Sequence, residues 1–100
     1  MQTSATAAAE LMKALSSENR LMLLCQLADG EKTVGELAET LGLRQAAVSQ
    51  QLALLRRDGL VSARREGRTM HYSLTGHEAR AVIMLLYELY CVPAKQMVET

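Results

Sequence analysis

Apolar residues recur through the first half of the chain at helical spacing, and a two-residue alternation replaces that spacing further on. Leu11, Met12 and Leu15 mark a first helix from about residue 5 to residue 16. Ser17 can cap a second helix beginning at Glu18, in which Leu21, Leu24, Cys25 and Ala28 stand at i, i+3, i+4 and i+7 and Gly30 marks the end. Thr33-Val34-Gly35-Glu36 has the form of a capping box, opening a short third helix through Leu37, Ala38 and Leu41. A tight turn at Gly42 leads to a fourth helix over 45–57, with Val48, Leu52 and Leu55 inward and a stop at Asp58-Gly59.

Two strands follow within residues 60–74, one over 60–64 and one over 69–74, turning near Glu66-Gly67. In the second, Met70, Tyr72 and Leu74 alternate with Thr69, His71 and Ser73, as expected of a half-buried strand. Thr75-Gly76-His77-Glu78 offers a second capping box, for a last helix over 76–91 that Pro93 closes. The predicted order is α-α-α-α-β-β-α, a mainly α fold in a single domain spanning 1–100. From Ala79 to Tyr90 the last helix is apolar on nearly every face, so one side faces its own core and another a partner chain. That pattern predicts a homodimer.

Composition supports packed helices: 49% of residues are hydrophobic, yet the aromatics are three tyrosines only. No apolar stretch nears the ~20 residues of a membrane span, and the first residues lack the pattern of a signal peptide. The expected location is the cytoplasm, where a structural disulfide is not the default. A formal net charge of zero hides a strong asymmetry. Residues 1–43 hold three basic against six acidic side chains, a net of −3, whereas residues 44–80 hold seven arginines against three acids, a net of +4.

The third helix, the Gly42 turn and the fourth helix have the dimensions of a helix-turn-helix, and the hairpin that follows is a wing. In such a unit the second helix enters the DNA major groove. With Val48, Leu52 and Leu55 inward, Gln45, Ala46, Ser49, Gln50 and Ala53 face outward. Glutamine can bond adenine at two points, serine either kind of base, and an alanine methyl can touch thymine. Arg56 and Arg57 follow on that side, while Arg64, Arg65 and Arg68 sit on the wing, placed for phosphate or the minor groove. The expected partner is double-stranded operator DNA. A winged helix used only for protein contact is the rival reading. An enzyme is disfavoured, because no Gly-rich phosphate loop, metal triad or nucleophile elbow occurs.

Four segments sharpen this reading: Ala14-Leu15-Ser16-Ser17-Glu18-Asn19-Arg20-Leu21, Val34-Gly35-Glu36-Leu37-Ala38, Val48-Ser49-Gln50-Gln51-Leu52 and Leu54-Leu55-Arg56-Arg57-Asp58-Gly59-Leu60-Val61. In this order they resemble the ArsR/SmtB family of bacterial winged-helix repressors, over residues 10 to 92. The resemblance implies a homodimer paired through its first and last helices, which represses transcription until an inducer reaches it. Family members usually carry histidine where Gln51 stands, which implies a different base preference.

The family's best-known inducers are metals, but the thiolate site usual near the start of the reading unit has no cysteine in Thr33-Val34-Gly35-Glu36-Leu37. The inter-subunit site would fall on Thr75, His77, Glu88 and Cys91, where an aspartate and a histidine are missing, so no metal or other cofactor is expected. By position alone His77 reads as a solvated first-turn residue, His71 as a surface or phosphate contact, and Cys25 and Cys91 as small buried hydrophobes. The resemblance gives the cysteines another role. A branch of the family senses sulfide and reactive sulfur species with one cysteine in the second helix and one near the end of the last, and Cys25 and Cys91 match those places. There a persulfide inducer joins the thiols through a di-, tri- or tetrasulfide, and the protein leaves its operator. Cysteines with Cα atoms more than ~7 Å apart cannot form a simple disulfide without backbone movement, whereas inserted sulfur lengthens the reach. The alternatives within the same family are a general oxidant sensor forming a plain disulfide and a metal-responsive repressor in which His77, Glu88 and Cys91 hold a thiophilic ion.

Overall fold

The computed structural model describes residues 2–90, so Cys91 and the end of the predicted last helix lie outside the described residues. Eight elements follow in order: α1 (Gln2–Ala14), α2 (Glu18–Leu27), β1 (Lys32–Thr33), α3 (Val34–Leu41), α4 (Gln45–Arg57), β2 (Val61–Glu66), β3 (Thr69–Leu74) and α5 (His77–Tyr90). The fold is a mainly helical winged helix, as predicted, with one addition. Lys32 and Thr33 form a short strand that pairs antiparallel with β3, giving a three-stranded sheet in the order β1-β3-β2. Two residues are too few for a periodicity signal, and the capping box that follows them dominates the local sequence.

The helix boundaries have local causes. Ser17 caps α2 by accepting from the Arg20 amide at 3.4 Å. Thr33 and Glu36 make the reciprocal box at α3: the Glu36 amide donates to Thr33 Oγ1 at 3.1 Å and the Thr33 amide to Glu36 Oε1 at 2.8 Å. Gly42 adopts φ 67°, a left-handed conformation that lets α3 end and α4 leave within three residues. The second predicted box is displaced. Because α5 starts at His77, Gly76 rather than Thr75 occupies its cap, with φ 90° and a carbonyl that accepts the Arg80 amide at 3.0 Å. Thr75 instead extends the hairpin, donating its amide to the Leu60 carbonyl at 3.0 Å.

The core gathers Leu23, Leu24 and Leu27 of α2, Leu37 and Ala38 of α3, Val48, Leu52 and Leu55 of α4, Val61 and Leu74 of the hairpin, and Ala79 and Ile83 of α5. The inward set of α4 is the predicted one. The seam of α2 is not: Leu23 and Leu27 are fully buried, while Leu21, Cys25 and Ala28 are only half-buried. This helix packs against α3, α5 and β3 together, so its buried arc is wider than one stripe and centred beside the predicted one. In α5, Ala79 and Ile83 are buried, whereas Leu85, Leu89 and Tyr90 remain more than half exposed, as does Met12 of α1. Among the described residues no helix is long and apolar enough to cross a membrane.

Candidate nucleic-acid interface and thiol site

The helical period that buries Val48, Leu52 and Leu55 turns the other side of α4 outward. Gln45, Ala46, Ser49, Gln50, Ala53, Arg56 and Arg57 are all exposed, and Gln51 is half-buried. Arg44, which the outward-facing pattern of α4 does not include, occupies the cap of α4 without a side-chain capping bond and is exposed beside Gln45. Its position at the mouth of the reading helix was the available signal. At the other end, Asp58 lies 3.5 Å from Arg57 and 3.5 Å from Arg20, so the end of α4 is tied to the first turn of α2.

The hairpin sorts its arginines by strand alternation. Cross-strand pairs Val61–Leu74, Ala63–Tyr72 and Arg65–Met70 define one face, while Ser62–Ser73, Arg64–His71 and Glu66–Thr69 define the other. The first face looks toward α4. A groove of about 370 Å³ runs between the wing and the start of α3, lined by Thr33, Gly35, Arg68, Met70 and Tyr72 among others, with Ser49 of α4 at its border. Arg65 Nε donates to the Gly67 carbonyl at 3.1 Å and so steadies the turn, in which Gly67 holds φ 64°.

Arg64 stands on the second face and makes a two-point fork to Glu31: Nη2 to Oε1 at 2.8 Å and Nε to Oε2 at 3.0 Å. Glu66 lies 3.7 Å from the same guanidinium and also 3.5 Å from His71. Hydrogen bonding from Arg64 holds the Glu31 carboxyl below the usual carboxylate range, and the same bond raises Arg64 further above neutral pH. Glu36 is likewise lowered, chiefly by the Thr33 amide.

Cys25 is half-buried on α2. Four residues on, Asp29 accepts a hydrogen bond from the Tyr87 hydroxyl at 3.3 Å, which ties the end of α2 to α5 four residues before Cys91 in the sequence. Of the metal-site positions, Thr75, His77 and Glu88 are described. His77 and Glu88 stand eleven places apart on α5, a rise of ~16 Å, so one protomer does not bring them together.

The sequence profile described as "Bacterial regulatory protein, arsR family" matches residues 17–63, from the cap of α2 into the first wing strand. The chain is similar to the transcriptional activator HlyU of Vibrio cholerae, at 50% identity over 91 residues, covering 91% of this chain and 84% of HlyU. This protein belongs to the arsR family. The ArsR-family chain is also 43% identical over 97 residues to the biofilm growth-associated repressor of Agrobacterium fabrum, covering 97% of this chain and 83% of that protein. Among solved structures, reduced HlyU from Vibrio cholerae superposes with a TM-score of 0.86 at 49% identity, covering 91% of this chain and 96% of that one. The transcriptional repressor BigR from Xylella fastidiosa gives 0.84 at 41% identity, covering 93% and 92%. This ArsR-family protein is therefore a DNA-binding transcriptional regulator and not an enzyme.

One prediction concerns the groove beside α4. Arg68→Ala is expected to weaken binding to all duplexes alike and to lower the slope of log K against log salt by about 0.9, the signature of one lost phosphate contact. A titration of fluorescent duplex at several salt concentrations measures both.

Proposed function

We propose that this protein is a homodimeric cytoplasmic repressor that leaves its operator when reactive sulfur species link Cys25 to Cys91. In this reading 45–57 is the recognition helix, 60–74 the wing and 76–91 the dimerisation helix. Gln45, Ala46, Ser49 and Gln50 meet base edges, and Arg56, Arg57, Arg65 and Arg68 meet phosphate or the minor groove. The apolar side chains left exposed on α1 and α5, namely Met12, Leu85, Leu89 and Tyr90, give a second copy something to cover. Pairing through those helices would set two recognition helices about one DNA turn apart.

The observation that carries the sensing step is the junction of α2 and α5. Asp29, four residues after Cys25, is hydrogen-bonded to Tyr87, which stands four residues before Cys91 in the sequence. The relation to reduced HlyU supports a protein whose redox state matters. The chemistry balances as follows. Each thiol takes the outer sulfur of a small persulfide and releases the corresponding thiol. The two protein persulfides then condense to a trisulfide and expel hydrogen sulfide, so the transferred sulfur is the oxidant.

Intact mass of the anaerobically reduced protein, after separate exposure to glutathione persulfide and to peroxide, tests this. Loss of two hydrogens with gain of sulfur, under persulfide alone, is the expected result. A plain disulfide from both reagents would make the protein a general oxidant sensor. No change with either would leave two inert cysteines.

A further inference from the structure

Arg64 has the composition of a DNA contact and the geometry of something else. Strand alternation turns it away from the face shared by Ala63, Arg65, Met70 and Tyr72, of which Met70 and Tyr72 line the groove beside Ser49. It shares its own face with Ser62 and Ser73, whose hydroxyls lie 3.3 Å apart, and with His71. In the sheet Arg64 pairs with His71, and His71 pairs with Thr33, the residue that caps α3. The row Arg64–His71–Thr33 therefore crosses all three strands, two spacings of about 4.8 Å each. The side chains of Arg64 and Glu31, the latter two residues before the α3 cap, reach toward each other across that width and meet at two points.

We propose that Arg64 does not contact DNA but, forked onto Glu31 across the three-stranded sheet, fixes the angle at which the wing meets the helix-turn-helix. This rests on the DNA-binding reading given above. The reason a brace is needed lies in β1. The sheet holds the wing to the start of α3 through two residue pairs only, Lys32–Tyr72 and Thr33–His71. The base of the wing is also held by Val61 and Leu74 in the core, but so short a ladder leaves the outer part of the hairpin loosely directed, and a planar two-point fork adds a constraint there. Because both partners are substantially exposed, at 52% and 36% of their side-chain surface, the pair contributes little to global stability. Its effect lies in where it places Arg65, Arg68 and the Gly67 turn relative to α4. Arg64 is a positioning residue, and Glu31, an acid that should repel DNA, is its anchor.

The two roles predict opposite results for Glu31. Affinity is measured for a duplex selected by the wild-type protein from a randomised pool, at several salt concentrations and well below each variant's unfolding temperature. A brace predicts that Glu31→Gln and Arg64→Gln each weaken binding about three- to tenfold with the salt slope unchanged. Arg64→Lys, which keeps the charge and loses the fork, should resemble Arg64→Gln. The exchange Glu31→Arg with Arg64→Glu should return affinity to within about threefold of wild type by restoring the pair. A direct phosphate contact instead predicts tighter binding for Glu31→Gln, near-normal binding for Arg64→Lys, and a slope smaller by about 0.9 for Arg64→Gln. That pattern, or no change in any variant, would overturn the brace while wild-type binding stands. Failure of the wild-type protein to select any duplex would overturn the DNA-binding reading itself.

Discussion

Leu52→Ala is expected to lower the unfolding free energy by about 2–5 kcal/mol, the range for truncating a fully buried leucine. Leu52 has no exposed surface and sits midway along α4, between the equally buried Val48 and Leu55. Its neighbours come from separate elements, since α4 packs on both α3 and β2, and neither can move inward without breaking its own contacts. A domain of this size typically has only ~5–15 kcal/mol in total, so a large share of the stability goes. At about 4–8 °C per kcal/mol, the midpoint of thermal unfolding should fall by roughly 10 °C or more. Protein concentration must be held constant in the comparison if the chain dimerises. The exposed Ala53→Ser, one position on, serves as the control and should shift stability by less than about 0.5 kcal/mol. Equal losses at both positions would mean that α4 does not present the face assigned to DNA.

Cys25→Ser should leave binding by the reduced protein within about threefold of wild type and abolish the response to persulfide. If the inducer lowers affinity a hundredfold, the variant loses all of that coupling, ~2.7 kcal/mol. The first expectation follows from location: Cys25 is half-buried on α2, away from the outward face of α4, and serine fits its volume. The second follows from chemistry, because an alcohol neither accepts sulfane sulfur nor closes a polysulfide. Measuring DNA release with and without glutathione persulfide decides it. A Cys25→Ser protein that still released DNA would place the sensing chemistry elsewhere.

Most of the fold was legible because its elements announce themselves locally. The Thr33–Glu36 box, the Gly42 turn and the Val48–Leu52–Leu55 stripe are all short-range signals, and each occurs as read. The α2 seam was less legible, since a helix covered by three neighbours buries more than one stripe. β1 was invisible for a different reason: two residues become a strand only because β3 arrives beside them from forty positions away. The outward face of α4 can be read from the helical period, and strand alternation separates Arg64 from Arg65. What periodicity could not supply is the partner. That Arg64 meets Glu31, Arg20 meets Asp58 and Tyr87 meets Asp29 depends on tertiary approach alone.

Those last two contacts give α2 a mechanical character. Arg20 in its first turn is joined to Asp58 at the tail of the reading helix, and Asp29, just past its last turn, is joined to Tyr87 of α5. Between them Leu23, Leu24 and Leu27 are fixed in the core. A single helix thus carries a fastening to the tail of the reading helix and another to the middle of α5, about 13 Å apart along its axis.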